Sequence, residues 1–252
     1  MPQATLASVG TPAAPGETNA LDQAFAALRN YQAGSSRAAL LPIDDAVRAA
    51  LGQTDRCQEL EQRFIAILQT DSASAVAKEY VCGKLVLCGS AASVPALVPL
   101  LAVMELTHLA RATLEALPYP QVCPTLRDCV NKLSGMAKVG VILALGMRRD
   151  PDSVPLLVPE LDNSNLDIAR AAIFALGRIG TVRAARALGQ FLANAAPTLR
   201  AAVADACLVC AERLLQDGLK EEAKILYQIL LDSRPATYIQ QAAERGRQQI
   251  TL

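Results

Sequence analysis

The stretch Val94–Leu101, VPALVPLL, returns as Val154–Leu161, VPLLVPEL. A weaker copy, Cys123–Leu126, lies about midway between the two octets, and Ala185–Leu188 follows the second octet at a similar interval. The period is therefore about 30 residues, which is typical of stacked structural repeats that bury their apolar side chains against their neighbours. The spacing predicts a repeat protein whose faces are open to partners.

Composition narrows the class of protein. Apolar residues make up 52% of the chain and aromatic residues only 4%, which favours closely packed helices rich in Ala, Leu and Val. Lys+Arg and Asp+Glu number 24 each, so the chain has no net charge. Nucleic-acid binders usually need a basic excess to neutralise phosphates, and no apolar run reaches the ~18 residues of a membrane helix. We therefore expect no nucleic-acid partner and no membrane span.

The apolar spacing predicts an all-α fold in which outer and inner helices alternate. The outer helices are expected near 73–88, 105–117, 135–148, 164–178 and 196–214. The inner helices are expected near 93–103, 121–133, 153–161, 182–193 and 219–231, with a last helix at 236–249. Short connections force consecutive helices to pack antiparallel. The architecture predicted is a right-handed α-α superhelix of about five helical hairpins, preceded by an N-terminal helical cap.

Four segments are predicted: a flexible tail over 1–17, capping helices over 18–72, the repeat array over 73–215, and a helical hairpin with a terminal helix over 216–252. The tail is rich in Pro, Ala and Gly and lacks the pattern of an intact export signal. The compartment stays open, because the chain is cytoplasmic as written but is exported if a signal preceded Met1. The seven cysteines favour buried, reduced thiols over a disulfide framework.

The inner helices carry prolines at fixed places. Pro95, Pro124 and Pro155 fall in the first helical turn, where the missing N–H costs little. Pro99 and Pro159 lie one turn deeper, where each removes a helix hydrogen bond at a cost of ~3 kcal/mol unless the helix bends. We therefore expect kinked inner helices in these two repeats. The predicted inward columns are Leu97, Leu126, Leu157 and Leu188, then Leu101, Val130, Leu161 and Leu192, and then Val94, Cys123, Val154 and Ala185.

The segment Leu161–Gly180, LDNSNLDIARAAIFALGRIG, resembles the HEAT-like repeat of the phycobilisome-lyase type. It departs from the family pattern at Ala169, which replaces an Arg, and at Phe174, where a polar residue is usual. The resemblance covers about 73–215 and is most specific in 161–194. Three further stretches, Tyr31–Arg37, Tyr80–Cys82 and Glu105–Arg111, look like parts of uncharacterised bacterial HEAT-repeat proteins. The resemblance implies a scaffold and brings no catalytic residues.

A second resemblance concerns the C-terminal part. The stretch Leu214–Leu230 resembles a tetratricopeptide hairpin, with small Ala223 opposite bulky Tyr227. This resemblance implies one longer helical pair that caps or extends the stack.

Two features could carry chemistry, and we assign a structural role to each. Cys207 and Cys210 lie in the middle of a helix on its apolar stripe, without a second ligand pair spaced for zinc, so they are predicted to be buried thiols. His108, the single histidine, points toward Arg111 and Glu115 at the edge of its helix. No catalytic, cofactor-binding or metal-binding residue is assigned, no cofactor is expected, and the chain is predicted not to be an enzyme.

The candidate partner-binding residues lie on the inner-helix surface and its rim. They are Arg127, Arg148, Arg149, Asp152, Arg178, Arg183, Arg186 and Gln190. Glu160 is predicted to face outward beside them. The repeat alignment stacks the loop of Arg148 and Arg149 on the loop that contains Arg178 and Arg183, which could hold an acidic partner segment. The alternative is a mutually solvated charged rim, because acidic residues occupy the same loops.

Three functions follow from these observations. The first is protein–protein interaction or scaffolding on a solenoid surface, with a protein partner whose identity stays open. The second is handling of a pigment or cofactor in the manner of the phycobilin lyases. The third is a non-catalytic arm of a larger exported enzyme. The oligomeric state is open in all three.

Leu157 and Leu188 test the predicted register of the repeats. We expect Leu157→Asp and Leu188→Asp each to unfold the array, because each would bury an unpaired carboxylate at a repeat interface. Thermal unfolding followed by circular dichroism measures the effect. A melting curve close to that of the wild type, for either variant, would show that the register is wrong.

Overall fold

The computed structural model describes residues 15–117 and 120–251, with side chains described over 20–117 and 120–250. All regular structure in these ranges is helical, so the all-α prediction is confirmed. The α-helices are α1 (Pro15–Arg29), α2 (Leu41–Ala50), α3 (Thr54–Leu68), α4 (Ala75–Cys88), α5 (Val94–Leu97), α6 (Thr107–Ala116), α7 (Val122–Val130), α8 (Gly135–Met147), α9 (Val154–Leu157), α10 (Leu166–Ile179), α11 (Val182–Asn194), α12 (Pro197–Gln216), α13 (Lys220–Asp232) and α14 (Thr237–Thr251). Most of the tail predicted over 1–17 lies outside the described residues, and α1 already begins at Pro15.

The chain divides into two compact units between Cys88 and Gly89. The first unit contains α1 to α4, and its core includes Phe25 and Phe64, whose ring centroids lie 5.4 Å apart. Helix α4 was predicted as the first outer helix of the array, and in the structure it packs on α2 and α3 within this first unit. The second unit contains α5 to α14, in which α8, α10 and α12 pack in succession.

The inner helices change from α-helix to 3-10 helix within each proline octet. Helix α5 makes one turn and passes into a 3-10 helix over Val98–Ala102, and α9 is followed by a 3-10 helix over Pro159–Asp162. Because Pro99 and Pro159 cannot donate the next α-helical hydrogen bond, the chain tightens into i to i+3 turns. The prolines thus disturb the regular α-helix at the places where the sequence predicted kinks, and the disturbance takes the form of a change to 3-10 helix.

The predicted inward columns are buried in the structure. Leu97, Leu126, Leu157 and Leu188 all have 0% of their surface exposed. Leu101, Val130, Leu161 and Leu192 are also buried, and of the third column only Cys123 is half-buried rather than buried. The repeat period inferred from the sequence is therefore the period of the core.

Glycines let the outer helices of the second unit approach one another closely. A Cβ atom added to Gly146 of α8 would lie 2.6 Å from the Cα atom of Ala175 in α10. One added to Gly177 of α10 would lie 2.9 Å from the backbone oxygen of Ala206 in α12. Neither glycine has a positive φ, so the reason for glycine at these places is space between helices and not backbone conformation.

Toward the C-terminus, α13 packs on α12 and α14. The small Ala223 and the bulky Tyr227 of α13 are both buried, and the Tyr227 ring lies where a side chain on Gly246 of α14 would be.

The contrast between Gly146 and Gly83 gives a paired test of helix approach. We expect Gly146→Leu to lower the free energy of unfolding by about 3 kcal/mol, because backbone atoms of α10 cannot yield to the new side chain. Gly83 in α4 has nothing within 4 Å of an added Cβ. Gly83→Leu should therefore stabilise α4 by up to about 1 kcal/mol through helix propensity. Chemical denaturation measures both, and an equal effect of the two substitutions would contradict this account.

Candidate partner-binding surface

Helix α11 presents a polar face to solvent. Its N-terminus is capped by Thr181, whose hydroxyl accepts a hydrogen bond from the Ala184 backbone N–H at 3.2 Å. Its buried residues, Ala184, Ala185, Leu188, Gly189 and Leu192, face the core. The opposite face therefore carries Arg183, Arg186 and Gln190, which are all exposed. Neither arginine forms an ion pair or a hydrogen bond with any side chain that the structure describes.

Helix α13 lies directly beside α11 and leaves two aliphatic side chains partly exposed. The Cδ1 atom of Ile229 would lie 3.3 Å from a Cβ atom on Gly189, so the two helices meet at that glycine. Ile229 is 37% exposed, and Ile225, one turn earlier, is 60% exposed. We call the set Arg183, Arg186, Gln190, Ile225 and Ile229 the α11–α13 surface. The two isoleucines were not among the predicted partner-binding residues, although 182–193 and 219–231 were predicted as consecutive inner helices, because that prediction considered only polar side chains of the inner-helix surface.

Arg127, by contrast, is held inside the chain. Its Nη1 atom lies 2.7 Å from both carboxylate oxygens of Asp150 and 3.6 Å from the nearer oxygen of Asp152. The hydrogen bond to Asp150 raises the pKa of Arg127 above its usual value. Asp150 is buried, so this pair joins α7 to the loop before α9. Two of the predicted partner-binding residues thus contact each other.

Arg148 also points inward. Its Nη1 atom donates to the backbone oxygens of Leu114, Glu115 and Leu117, at 3.2, 3.1 and 2.7 Å. Its Nε atom lies 3.3 Å from the Sγ atom of Cys123. These oxygens are at the C-terminal end of α6, where helix carbonyls lack partners and a positive charge is favourable. Arg148 is therefore a cap that fastens α8 to α6.

The remaining predicted arginines lie where the ends of successive repeats meet. Arg149, in a left-handed conformation with φ of 52°, forms an ion pair with Asp217 at 2.8 Å. Its Nη2 atom would lie 3.9 Å from a Cβ on Gly180, so the loop after α8 lies against the end of α10, as the alignment of the repeats suggested. Arg178 is half-buried, and its Nε atom has no hydrogen-bond partner among the described residues.

Glu160 does not face the partner surface. It is buried, and its Oε1 atom lies 2.6 Å from the Nζ atom of Lys138 in α8. The alignment of the repeats predicted that Glu160 is outward, and this was wrong because the ion pair with Lys138 holds the carboxylate against α8.

The candidate chemical residues have structural surroundings. Cys207 and Cys210 are fully buried, as predicted, and burial raises the pKa of both thiols to about 12. His108 is exposed on α6. Within residues 15–117 and 120–251 no group of three or more His, Cys, Asp or Glu side chains could hold a metal ion.

Comparison with known proteins supports the repeat assignment. The family model for HEAT repeats matches residues 124–208, which run from α7 into α12. A search of curated proteins found no match. The family match and the helical architecture together indicate a HEAT-like repeat protein over this part of the chain. In the part of the chain that the structure describes, none of the helices has the length and apolar character needed to span a membrane.

Arg148 offers a test of the internal clamps. We expect Arg148→Ala to lower the free energy of unfolding by about 1–3 kcal/mol, because it leaves backbone oxygens of α6 without their donor. Arg183→Ala, which removes an exposed arginine of α11, should change stability by less than about 0.5 kcal/mol. Urea denaturation compares the two. If both variants are equally stable, Arg148 is not a clamp.

Proposed function

We propose that the chain is a non-enzymatic interaction protein whose α11–α13 surface binds a protein partner. The observation that carries the proposal is the contrast among the predicted arginines: Arg127, Arg148 and Arg149 bind other groups of the chain, whereas Arg183 and Arg186 form no ion pair or hydrogen bond with the described side chains. HEAT repeats commonly mediate protein interactions or scaffolding, which supports this class of function. We also propose that the helices form a right-handed superhelix of about five helical hairpins and that the repeats are of the phycobilisome-lyase type.

The charged and apolar side chains of the α11–α13 surface indicate which kind of partner segment would bind there. Two guanidinium groups three residues apart on one helix face can each hold a carboxylate through paired hydrogen bonds. The exposed Ile225 and Ile229 provide apolar area beside them. Interfaces gain most of their affinity from a few arginine and apolar anchors surrounded by polar contacts. A partner segment with acidic residues next to aliphatic ones fits this surface.

Charge reversal tests the proposal. The full chain is immobilised, and proteins retained from native lysate are identified by mass spectrometry. The test variant carries Arg183→Glu and Arg186→Glu, and the matched control carries Arg200→Glu and Arg245→Glu, which change the net charge equally at exposed positions on α12 and α14. We expect one polypeptide to be retained by the wild type and the control and lost by the test variant. Purified partner should then bind Ile225→Ser more weakly than the wild type.

Two results would contradict the proposal. One is a partner retained equally by the test and control variants, since binding would then use another surface. The other is a coloured small molecule that copurifies with the wild type and with no protein, since that would favour the pigment-handling function. Circular dichroism confirms that every variant is folded before its binding is interpreted.

A further inference from the structure

A cleft of about 340 Å³ opens in the first unit, between α4 and the segment that follows α1. Helix α4 contributes Val76, Tyr80 and Gly83, which follow one another at helical spacing and share one face. The other wall is formed by Tyr31 and Arg37. The volume is at the small end of ligand pockets, which hold roughly 300–1,000 Å³. The cleft thus brings together Tyr31–Arg37 and Tyr80–Cys82, two stretches that the sequence analysis singled out without giving them a role.

Gly83 keeps this cleft open. A glycine inside a helix costs about 1 kcal/mol relative to alanine, so it calls for a reason. For Gly140, Gly146 and Gly177 the reason is lack of space, because an added Cβ would lie within 3.0 Å of a neighbouring helix or turn. Gly83 has no such neighbour, since nothing lies within 4 Å of its added Cβ. The space beside Gly83 is open volume on the cleft side of α4, and a larger residue there would fill it.

Two residues that line the cleft, Tyr80 and Lys84, are bound to the same carboxylate, that of Asp44. The Tyr80 hydroxyl donates to the Oδ1 atom of Asp44 at 2.7 Å, and the Nζ atom of Lys84 lies 2.6 Å from the same oxygen. Burial opposes ionisation of Asp44, but the hydrogen bonds from Lys84 and Tyr80 hold the pKa of its carboxyl below the usual value. The charge of Lys84 is therefore cancelled within the protein, and the Tyr80 ring is held in place as a platform.

Two opposite charges, those of Arg37 and Glu79, line the cleft and form no ion pair among the described residues. The Arg37 guanidinium lies 5.8 Å over the Tyr80 ring and is exposed. Glu79 lies on α4, is exposed, and also lines the cleft. Neither forms an ion pair with the other or with any other residue within the described ranges. The positive charge of Arg37 is near enough to help lower the pKa of Asp44, but the Arg37 guanidinium is not bound to that carboxylate. A ligand that carries one charge would meet attraction from one of the two groups and repulsion from the other.

We propose that this cleft binds a small zwitterion with an apolar group, the chemistry of a free hydrophobic or aromatic amino acid. The ligand carboxylate pairs with Arg37, and the ligand ammonium pairs with Glu79. The apolar group lies against the rings of Tyr31 and Tyr80 and the side chain of Val76. The site uses no residue of the α11–α13 surface, so it is a second function and does not rest on the first.

Isothermal titration calorimetry of the full chain with leucine, phenylalanine and tryptophan tests this proposal. The best ligand is then repeated as its N-acetyl form, which lacks the ammonium, and as its amide, which lacks the carboxylate. We expect Arg37→Ala and Glu79→Gln each to weaken binding about tenfold or more, because each removes a charged hydrogen bond. Gly83→Leu should abolish binding by filling the cleft. The control is Arg56→Ala, an exposed arginine on α3, which should bind as the wild type does.

The stability of the variants separates loss of the site from loss of the fold. Gly83→Leu should melt at or above the wild-type temperature, because it replaces a helical glycine in open space. Arg37→Ala and Glu79→Gln change exposed side chains, so both variants are expected to stay folded. Their binding therefore tests the proposal even if Gly83→Leu is unfolded. The proposal is overturned by any of three results: no saturable binding of the three amino acids, equal binding of the N-acetyl or amide form, or unchanged binding by Arg37→Ala and Glu79→Gln.

Discussion

The backbone contact between neighbouring outer helices is the constraint on which the second unit depends. Gly146 meets Ala175, and Gly177 meets Ala206, at distances that leave no room for a larger side chain on the glycine. Each member of the first pair lies one repeat before its counterpart in the second pair, at the spacing that separates the later inner-helix motifs. Because each contact admits one register only, it aligns the loops at the helix ends and so brings Arg149 beside Gly180.

Periodicity and burial could be predicted from the sequence, but side-chain direction at the repeat ends could not. An apolar residue that recurs every repeat must face the core, which is why the column from Leu97 to Leu188 is buried throughout. Arg148 and Arg183 were both predicted to bind a partner, although Arg148 directly follows the outer helix α8 and Arg183 lies in the first turn of the inner helix α11. Their surroundings differ through tertiary contacts: carbonyl oxygens at the end of α6 accept hydrogen bonds from Arg148, whereas Arg183 forms no ion pair or hydrogen bond among the described side chains. The buried position of Glu160 likewise goes with a tertiary contact, its ion pair with Lys138 of α8.

The surroundings of individual glycines could not be predicted from the sequence either. Gly83 and Gly146 both lie inside helical stretches of small and apolar residues, so the sequence alone does not distinguish them. Only the structure shows that Gly146 admits a neighbouring backbone whereas Gly83 faces open space. The cleft beside Gly83 also requires Tyr31 and Tyr80 to line one space although two helices separate them along the chain, and local patterns carry no information on such a contact.

In each unit, the candidate binding site contains charged side chains that form no ion pair among the described residues. In a chain with no net charge, most buried or half-buried cations find a carboxylate or a carbonyl group, as Lys84, Arg127 and Arg148 do. Each such contact is structural, and its arginine or lysine is not available to a partner. Arg37 in the first unit, and Arg183 with Arg186 in the second, form no ion pair among the described residues. Arg37 lies over the Tyr80 ring, and the helix of Arg183 and Arg186 packs beside α13, which exposes Ile225 and Ile229. A ligand that has both an anionic and an apolar group can bind such a place well. Its anionic group pairs with the cation, and its apolar group covers the adjacent apolar surface. The charges therefore distinguish the two candidate sites from the clamps that hold the repeats together.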